Sequence, residues 1–536
     1  MEPHKPARLL LPQLMLRECR RSLFRSKVAD STGTDFSGGT LLLRSLILRR
    51  ILQREVLAAD EKFVAVLLPP SAAAVVVNAC LTLMGRIPVN LNYTASETIL
   101  KSCIQQCGIR HVLTSRKVMD KLKIDLGTDL VFLEDFLPRI KASDKLAAAA
   151  LAYLTPIAVL ERILGLSRLR PDDVMTIIFT SGSTGDPKGV MLSFENIGSN
   201  VEAIDEIIQL KRTDVLLGIL PFFHSFGYTV TVWTVLTLAP KGAYHFSPLD
   251  AHQVGKLTRE HKGTILIGTP TFLRSYLRRC APEDFASLEV VVAGAEKLPK
   301  DLSAAFEERF GVRPVEGYGA TECSPLVAVN IPASRAPSAG QVVSKEGTVG
   351  RAVPGVVAKV TDLDSGATLG VGQAGMLWIR GPNVMQGYLN KPDVTSKVLV
   401  DGWYMTGDVA MLDADGFITI TGRESRFSKI GGEMVPHMKI EETLEGLIGE
   451  VGDEVRLAVT AVPDERKGER LVVVHTALEK RPEQLVKELA AAGLPNLWIP
   501  AADSFVQVEA IPVLGTGKLD LKAVKQLALE KFGAGG

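Results

Sequence analysis

The chain has 536 residues, 46% of them hydrophobic, with 61 Lys and Arg side chains against 60 Asp and Glu. This composition excludes an intrinsically disordered protein, and at roughly 100 to 200 residues per domain the length predicts about three to five structural units. A formal net charge of +1 gives no overall basic field for nucleic acid and no acidic field for cationic partners. We therefore expect no nucleic-acid partner, and any charged partner surface should be local.

The cysteines and apolar segments indicate a cytoplasmic protein. The six cysteines include no CxxC pair, and Cys103 and Cys107 have the i, i+4 spacing of neighbours on one helix face. An apolar run at 9–16 is followed by basic residues where a signal-peptide cleavage site needs small ones. The longest apolar stretch, 146–160, has 15 residues including a proline and is shorter than a membrane-spanning helix. We expect reduced thiols and no transmembrane helix.

In chain order, the first 346 residues predict layered α/β structure. Over 1–170, short apolar runs such as 63–68 alternate with helical patterns such as 72–84, which is typical of βα units in a parallel sheet. Similar apolar runs, usually followed by a helical pattern, recur at 174–179, 215–220, 264–267 and 288–292. We predict two α/β subdomains, 1–170 and 171–346.

The rest of the chain predicts two smaller parts. From 347 to 423, short strand patterns alternate with Gly-rich turns such as 362–366 and 413–416, as in a β subdomain. The three subdomains would form an N-terminal domain, 1–423. The last part, 424–536, predicts a small separate α+β domain.

The segment 139–164 has two interpretations. Charged residues flank an Ala- and Leu-rich centre, and the length suits a broken amphipathic helix. One interpretation is a helical hairpin packed on its domain. The other is contact with a membrane surface or a partner, which would place a cytoplasmic protein peripherally at the inner face of the membrane.

A loop rich in Gly and hydroxyl residues follows the apolar run that ends at Phe179. In the sequence T-S-G-S-T-G-D-P-K-G, residues 180–189, backbone N–H groups and hydroxyls can surround phosphate oxygens, and the lysine adds a positive charge. The common GxxxxGK[ST] loop is excluded, because Pro187 precedes the lysine. The candidate phosphate-binding residues are Thr180, Ser181, Gly182, Ser183, Thr184, Gly185 and Lys188.

This loop resembles the phosphate-binding signature of the adenylate-forming superfamily, which includes acyl-CoA synthetases, luciferases and the adenylation domains of peptide synthetases. Stretches similar to the other signatures follow in the same order: 221–227 (P-F-F-H-S-F-G), 294–296 (G-A-E), 316–322 (E-G-Y-G-A-T-E), 404–408 (Y-M-T-G-D), 422–423 (G-R), 431–433 (G-G-E) and 512–518 (P-V-L-G-T-G-K). The resemblance implies a large N-terminal domain of layered α/β subdomains plus a β subdomain, with a small mobile α+β C-terminal domain.

The resemblance also implies ATP-dependent activation of a carboxylic acid through an acyl-AMP intermediate, with release of pyrophosphate and with Mg²⁺ as cofactor. Bringing a carboxylate to the α-phosphate of ATP concentrates negative charge, which must be offset electrostatically. By the same resemblance, Lys518 bridges the carboxylate and the α-phosphate, Glu322 holds Mg²⁺ and Thr184 hydrogen-bonds phosphate. With Lys188 and His224, these are the predicted catalytic residues.

The predicted nucleotide site combines several signatures. An ionised Asp408 can accept hydrogen bonds from both ribose hydroxyls, Arg423 can support it, and the ring of Tyr318 can stack on adenine. Beyond the phosphate loop, the nucleotide-binding residues implied by the resemblance are Gly294, Ala295, Glu296, Glu316, Gly317, Tyr318, Gly319, Thr321, Asp408, Arg423, Lys429 and Lys518.

Proteins of this superfamily rotate the C-terminal domain between two half reactions, and the hinge by position is Ser425. The superfamily usually carries Asp or Lys there, so this chain departs from the pattern. We expect the rotation to be retained with a different balance between the two states. Lys429 and the loop 431–433 would face the adenylate in the second state.

The predicted substrate-binding residues indicate an apolar acid. They are Phe222, Phe223, His224, Phe226 and Gly227, with His224 as a gate beside the reacting carboxylate. The motif contains no acid to pair with the ammonium group of an amino acid, and burying an unpaired ammonium costs on the order of several kcal/mol. A fatty acid is the leading substrate.

The acyl acceptor has two interpretations. The stretches 293–298 and 426–437 resemble the synthetase half of bacterial acyl-acyl-carrier-protein synthetase/2-acylglycerophosphoethanolamine acyltransferases. That resemblance favours the phosphopantetheine thiol of acyl carrier protein, feeding phospholipid acylation, and a basic patch for this acidic partner would comprise Arg456, Arg466, Lys467 and Arg470. Delivery to CoA is the alternative, and a catalytically silent protein that binds lipid or adenylate is the third hypothesis.

Overall fold

The structure is a computed structural model that describes residues 9–180, 186–337, 342–423, 426–430, 433–449, 455–464, 467–513 and 519–532, except the side chains of Lys429 and Met434. The chain divides into two compact units. Unit 1 comprises Met1–Ala358, Trp378–Met405 and Asp413–Thr419, and unit 2 comprises Lys359–Leu377, Thr406–Leu412 and Ile420–Gly536. The boundaries inferred from the sequence stay a prediction.

Most helices of unit 1 begin at a residue that can cap them. The helices are α1 (Leu11–Arg21), α2 (Gly38–Glu55), α3 (Ala72–Leu83), α4 (Glu97–Cys107), α5 (Arg116–Leu122), α6 (Ala142–Ala149), α7 (Ile157–Ile163), α8 (Phe194–Ile208), α9 (Thr234–Thr237), α10 (Ala251–His261), α11 (Pro270–Arg279), α12 (Lys300–Phe310) and α13 (Pro392–Val398). Ser37, Ser71, Ser96, Ser115 and Ser193 accept a hydrogen bond from the backbone N–H three residues on, at 3.1–3.5 Å. These serines fix the start of α2, α3, α4, α5 and α8.

The strands up to residue 423 are mostly short. They are β1 (Ser26–Asp30), β2 (Asp35–Ser37), β3 (Phe63–Val66), β4 (Ile87–Asn90), β5 (His111–Thr114), β6 (Asp129–Phe132), β7 (Val174–Thr180), β8 (Lys188–Ser193), β9 (Val215–Gly218), β10 (Lys241–Tyr244), β11 (Ile265–Gly268), β12 (Val290–Ala293), β13 (Val315–Gly319), β14 (Leu326–Val329), β15 (Arg351–Ala352), β16 (Val357–Thr361), β17 (Gly375–Arg380), β18 (Gly387–Tyr388), β19 (Leu399–Val400), β20 (Trp403–Leu412) and β21 (Ile418–Arg423).

A nine-stranded sheet forms the centre of unit 1, in the order β15-β14-β13-β12-β11-β9-β10-β1-β2. From β13 to β1 neighbouring strands are parallel, and β2, β14 and β15 are antiparallel to their neighbours. Every residue of β9, β11 and β12 is buried, as expected for parallel strands covered on both faces. The alternation predicted from the sequence is confirmed here.

Two smaller sheets complete the first half of unit 1. The parallel sheet β4-β3-β5-β6 packs its apolar residues against α4. The antiparallel sheet β18-β8-β7 contributes Ile177 to the same core, as does Leu389 just after β18. The apolar run 174–179 is therefore one strand of a hairpin and is followed by a strand, where comparable runs are usually followed by a helix.

The region 347–423, all of it described, has the short strands that the sequence predicted. Five of them form a sheet in the order β16-β17-β20-β19, with β21 beside β20. Positive φ angles at Gly366 and Gly416 allow the tight turns that precede the next strands.

Unit 2 ends in a small α+β arrangement. Its remaining elements are β22 (Phe427–Ile430), β23 (Glu433–Pro436), α14 (His437–Ile448), β24 (Leu457–Asp464), β25 (Gly468–His475), α15 (Pro482–Ala491), β26 (Phe505–Gln507) and α16 (Leu521–Phe532). Alternate residues of β24 and β25 face opposite sides of the sheet β24-β25-β26. One side packs on α14 and α15 and the other on α16, so the sheet has a core on both faces.

None of the six cysteines forms a disulfide bond, and all six are buried. Burial raises the pKa of the Cys19 thiol to about 12, which keeps it protonated. No helix in the described ranges is long and apolar enough to cross a bilayer.

Candidate active site

The predicted phosphate loop connects the two strands of the β7–β8 hairpin. Thr180 pairs with Lys188 in register, so both residues lie where the loop begins and ends. The carbonyl of Pro187 accepts hydrogen bonds from Gln106 Nε2 at 3.1 Å and Lys391 Nζ at 3.3 Å. These contacts fix the base of the loop. Ser181, Gly182, Ser183, Thr184 and Gly185 themselves lie outside the described residues.

Glu322 lies beside the same hairpin. The phenol of Tyr388 donates a hydrogen bond to Glu322 Oε1 at 2.8 Å, and Lys188 Nζ lies 4.8 Å from the centroid of the Tyr388 ring. Tyr388 reaches this position because β18 pairs with β8, opposite Val190. The structure thus brings together two of the predicted catalytic residues, Glu322 and Lys188, through a tyrosine between them.

The phenols around Glu322 are hydrogen-bond donors. Burial, followed by the negative charge of Glu322, raises the pKa values of Tyr388 and Tyr404. Because Tyr388 stays protonated, it donates its hydrogen bond to the carboxylate of Glu322 and orients it without adding a compensating charge.

This arrangement suits a magnesium ion held jointly with a polyphosphate. Mg²⁺ prefers oxygen ligands and is usually bound by one or two carboxylates together with substrate phosphates and water. Within the described ranges, no group of three or more His, Cys, Asp and Glu side chains is placed to hold a metal by itself. Glu322, a carboxylate with Lys188 nearby to bind phosphate, fits the role of the single protein carboxylate that such an ion would require.

Three of the sequence signatures meet at the ends of β12 and β13. A Cβ atom added at Gly294 would lie 3.1 Å from Cε1 of Phe226 and 3.6 Å from the carbonyl oxygen of Gly317. At Gly319, a Cβ atom would lie 2.3 Å from the carbonyl oxygen of Pro325, which no side chain allows. The backbone approach at Gly319 thus requires glycine, whereas a side chain at Gly294 would need Phe226 to shift slightly; Ala295 adopts a positive φ of 69°.

Hydrogen bonds connect neighbouring signatures. Ser225 Oγ, within the histidine signature, lies 3.4 Å from Thr321 Oγ1. Glu296 accepts a hydrogen bond from Thr271 Oγ1 at 2.8 Å, at the start of α11. Tyr318 is half-buried in β13, opposite Ala328.

Glu316 has the most perturbed carboxyl group of the predicted site. Burial raises its pKa to about 7, while the backbone N–H of Leu298 and the charge of Lys297 act in the opposite direction. The Cα atom of Glu316 is paired with that of Ala293 in the parallel sheet, so its side chain starts beside the Gly294 turn.

The histidine signature is only partly open. Phe222 and Phe223 are buried, with ring centroids 5.8 Å from Tyr244 and 4.9 Å from Tyr93 in edge-to-face packing. His224 is exposed, and its ring lies 4.5 Å from that of Phe223. A Cβ atom at Gly227 would lie 2.1 Å from the carbonyl oxygen of Pro221, which explains the glycine there. Contact of these residues with an acyl chain stays a prediction.

The predicted ribose pair lies in unit 2. Arg423 Nε donates to Asp408 Oδ1 at 2.7 Å, with the carboxylate side chain 5% exposed and the arginine 66%. The backbone N–H of Asp408 donates to Thr406 Oγ1 at 3.0 Å. The ion pair orients the carboxylate of Asp408 within β20, next to Gly407, whose φ is 74°.

The other predicted residues of unit 2 are incompletely described. The backbone of Lys429 pairs with Met434 in the β22–β23 hairpin, and Glu433 is exposed. The side chain of Lys429 lies outside the described part, as do the hinge residue Ser425, the glycines Gly431 and Gly432, and Lys518.

The predicted basic patch is partly engaged in internal contacts. Arg470 binds Asp503 at 3.0 Å and Ser504 Oγ at 2.7 Å, and it lies over the ring of Phe532. Arg456 donates to the carbonyl of Ala477 at 2.9 Å, whereas Lys467 is exposed. Arg466 lies outside the described residues.

The main functional residue that the sequence did not indicate is Tyr388. It lies 66 positions after Glu322, and no signature joins the two. Tyr93, against Phe223, was likewise missed. The sequence shows an aromatic residue after Gly387, but it does not show that this residue contacts Glu322, because the contact depends on how β18 pairs.

Comparison with known proteins gives a consistent assignment. A family model described as AMP-binding enzyme matches residues 20–389. A long-chain-fatty-acid–CoA ligase of Yersinia pestis is 31% identical over 74% of this chain and 68% of the relative, and one of Bacillus subtilis is 31% identical over 67% of this chain and 62% of the relative. The ATP-bound structure of MatB from Rhodopseudomonas palustris has a TM-score of 0.76 and 25% identity, covering 96% of this chain and 98% of that one.

The family model covers well over half of the chain, and the structural match spans almost all of it. The fold expected from the signatures is therefore confirmed, with a large N-terminal part of sheets and helices and a C-terminal domain. This chain belongs to the AMP-binding enzyme family, within the adenylate-forming superfamily.

Proposed function

We propose that this chain is an AMP-forming fatty acid–CoA ligase. In the first half reaction, a carboxylate oxygen of the fatty acid forms a bond to the α-phosphorus of ATP while the bond to pyrophosphate breaks. In the second, the CoA thiol releases its proton to solvent and its sulfur bonds to the acyl carbon as AMP leaves. The products are acyl-CoA, AMP and pyrophosphate.

The observation that carries the proposal is the grouping of Glu322, Tyr388 and Lys188 at the base of the loop 180–189. A carboxylate held by a neutral phenol keeps its charge, and the adjacent ammonium group can bind phosphate oxygens. Such an arrangement suits a polyphosphate with a divalent cation better than a lipid or sugar alone. Mg²⁺ bound there would supply Lewis-acid stabilisation of phosphate charge.

The residues assigned to the reaction follow the family signatures. Glu322 would hold Mg²⁺, and Thr184 and Lys188 would bind phosphate. Asp408, oriented by Arg423, would accept hydrogen bonds from ribose. Lys518 would bring the fatty acid carboxylate and the α-phosphate together by offsetting their mutual repulsion.

Two considerations favour a fatty acid. The histidine signature offers Phe222, Phe223 and Phe226, and the motif has no acid to pair with an amino acid's ammonium group. The two relatives described above are named long-chain-fatty-acid–CoA ligases.

CoA is the acceptor that we propose, in place of the carrier protein favoured from the sequence. The relatives carry CoA in their names, and the carrier-protein interpretation depended on two short stretches. Arg456 and Arg470 of the suggested basic patch bind groups of their own unit, which leaves less charge free for an acidic partner.

The test is an ATP-dependent acylation assay with fatty acids of increasing chain length, measuring AMP and pyrophosphate with CoA and with holo acyl carrier protein side by side. We expect turnover with CoA at a rate at least about tenfold above that with carrier protein. Turnover with carrier protein alone would contradict the proposed acceptor and restore the earlier interpretation.

Amino and aromatic acids serve as matched substrates, because they share the carboxylate but not the long apolar chain. Faster AMP formation with them than with any fatty acid would contradict the proposed substrate class. Absence of AMP with every acid, together with absence of pyrophosphate exchange into ATP, would indicate the catalytically silent binding protein instead.

A further inference from the structure

The segment 139–164 forms two short helices that pack on unit 1 by one side only. Helix α6 continues into a π-helical turn at Ala150–Leu154, and α7 follows a break at Thr155 and Pro156. Ala148, Ala152 and Leu160 are fully buried on the inner side. The broken helix predicted from the sequence is confirmed, and its two parts pack on other helices of unit 1, α6 on α2 and α7 on α1.

The inner side is fixed by charged contacts. The buried carboxylate of Asp144 accepts hydrogen bonds from Arg54 Nη1 at 2.9 Å and Arg50 Nε at 3.2 Å, both on α2. Glu161 on α7 forms an ion pair with Arg17 on α1. Arg20 donates to the backbone carbonyls of residues 151, 153 and 155. The outer side therefore has a defined orientation.

The outer side exposes large apolar side chains in helical register. Leu146 and Leu154 are 73% and 80% exposed and lie eight residues apart, two turns along one face. On α7, Val159 and Ile163 are exposed at i, i+4 spacing. Exposed leucines at this spacing are the pattern of an interfacial helix.

Phe24 extends this apolar surface. It is 89% exposed, the most exposed of the large apolar residues in the described ranges. Leu23 and Tyr153 both lie within 3.1 Å of where a Cβ atom of Gly39 would be, so the turn carrying Phe24 lies beside the end of the π-helical turn. We call the set of Phe24, Leu146, Leu154, Val159 and Ile163 the apolar face.

The exposed charged residues of 139–170 are basic, and two of them pair with acids outside this stretch: Arg139 with Glu55 at 3.8 Å and Arg170 with Asp172 at 3.2 Å. Six basic residues between 139 and 170 are exposed: Arg139, Lys141, Lys145, Arg162, Arg168 and Arg170. The acids of the same stretch, Asp144 and Glu161, are both turned inward and paired with arginines. With a net charge of +1 over the whole chain, this local excess of positive charge is a distinct feature.

We propose that the apolar face and its basic rim form a docking site for the surface of a bilayer that contains anionic phospholipids. Apolar side chains would enter the boundary between headgroups and acyl chains, while Lys145, Arg162 and their neighbours bind lipid phosphates. A soluble protein partner would more often meet an uninterrupted apolar core with a mixed-sign rim. The exposed charged residues of 139–170 are themselves all basic, which complements anionic lipid headgroups.

The proposal is independent of the proposed enzymatic activity, and its test measures binding alone. The full chain is mixed with vesicles of phosphatidylcholine or of phosphatidylcholine with phosphatidylglycerol in equal amounts, and bound protein is measured by co-sedimentation at low and high salt. We expect at least about tenfold stronger binding to the anionic vesicles, weakened by salt.

Two variants separate the apolar and electrostatic contributions. Phe24→Ser, Leu146→Ser and Leu154→Ser together should reduce binding to anionic vesicles at least about tenfold, as should Lys145→Glu with Arg162→Glu. The matched controls are Leu249→Ser with Val342→Ser, which are similarly exposed elsewhere, and Lys117→Glu with Lys256→Glu. Controls should bind within about twofold of the parent chain.

Several outcomes would overturn the proposal. They are absence of binding by the parent chain, equal binding to neutral vesicles, and equal losses in test and control variants. A parent chain that sediments as a dimer, with a monomeric serine variant, would assign the apolar face to self-association instead. If the serine variant fails to fold, as judged by urea unfolding, the charge variant alone decides, because its side chains are exposed.

Discussion

Glu322 in unit 1 and Asp408 in unit 2 are both predicted to hold ATP, yet the structure surrounds them differently. The phenol of Tyr388 donates to Glu322 at 2.8 Å, whereas the guanidinium of Arg423 donates to Asp408 at 2.7 Å. A phenol orients a carboxylate without compensating its charge, and a guanidinium compensates it. The first environment suits binding of a cation, and the second suits accepting hydrogen bonds from neutral hydroxyls.

The difference shows why the two predicted ATP-binding carboxylates cannot be exchanged. A metal ion gains most from a carboxylate with its full negative charge. A ribose hydroxyl needs a well-oriented acceptor, and an arginine that limits the charge also limits repulsion of nearby phosphates. Each prediction below alters one part of this comparison.

Removing the positive charge of Lys518 should have the largest effect on activity. With Lys518→Ala, adenylate formation from ATP and fatty acid should fall roughly a thousandfold or more, because the carboxylate and the α-phosphate would meet without a bridging cation. Thioester formation from supplied acyl-adenylate should largely persist. Pyrophosphate exchange and single-turnover acyl transfer measure the two steps, and equal loss of both would contradict the assigned role.

Neutralising Glu322 should reduce turnover next most strongly. Glu322→Gln keeps the size and can still accept a hydrogen bond from Tyr388 but removes the charge, so kcat/KM should fall about 10²- to 10³-fold and more Mg²⁺ should be needed for half-maximal rate. Glu307→Gln, at an exposed carboxylate paired with Arg313, is the matched control. An unchanged Mg²⁺ requirement in the Glu322 variant would remove the metal role.

Neutralising Asp408 should affect nucleotide binding instead. In Asp408→Asn, KM for ATP should rise about 10- to 100-fold while the Mg²⁺ requirement stays within about twofold, because hydrogen bonds to a charged acceptor are lost. Asp214→Asn is the control, since Asp214 forms a buried pair with Arg335 at 2.7 Å and is not one of the predicted site residues. That control should lose stability but keep KM. A shifted Mg²⁺ requirement in the Asp408 variant would contradict the assignment of metal binding to Glu322 and ribose binding to Asp408.

Removing the phenol of Tyr388 tests whether it orients the carboxylate of Glu322 for metal binding. Tyr388→Phe should raise the Mg²⁺ concentration for half-maximal rate about tenfold, because the carboxylate loses the group that orients it. Tyr276→Phe removes a comparably buried phenol, which donates to the carbonyl of Pro248 at 2.6 Å, and should leave the Mg²⁺ dependence unchanged. Equal shifts in both variants would mean a general loss of packing.

Glu316 should have the smallest effect on turnover and a measurable effect on stability. Its folded pKa of about 7 exceeds the ordinary value of ~4.3, so the folded state binds the proton more tightly, and stability should fall as pH rises from about 4.3 to about 7. Glu316→Gln should remove up to about 3 kcal/mol of this dependence in urea unfolding at pH 5 and pH 8. A dependence as large as in the parent would assign it to another group.

Local pattern was enough to predict many of the elements. The apolar run at 63–68 and the helical pattern at 72–84 correspond to β3 and α3, because both are apolar and almost fully buried, and their lengths suit a strand and a helix. The pattern could not distinguish β7, in a hairpin with β8, from a strand followed by a helix. Whether a strand or a helix follows β7 depends on which strands can pair there. One of the strands of this sheet, β18, contains Tyr388, which is distant in the sequence.

The candidate site was predictable as a set of residues and not as a set of contacts. Ordered signatures indicated Glu322, Lys188 and Phe226 individually. The phenol between Glu322 and Lys188, and the approach of Phe226 to Gly294, arise from packing of segments 66 or more positions apart. Side-chain partners across such separations follow from the tertiary structure, which no local period encodes.

The contacts of Asp144 with Arg54 and Arg50 have a consequence for any encounter with a bilayer. The arginine hydrogen bonds, Arg54 first, lower the pKa of Asp144 to about 2, so the attachment of α6 to α2 weakens only as pH falls below about 4 toward 2. The apolar face is thus held rigidly on unit 1 through the contacts of α6 with α2, and it is not attached by a flexible linker. Docking would then set one tilt of unit 1 against the bilayer normal, and every substrate molecule arriving from the lipid would approach at the same angle.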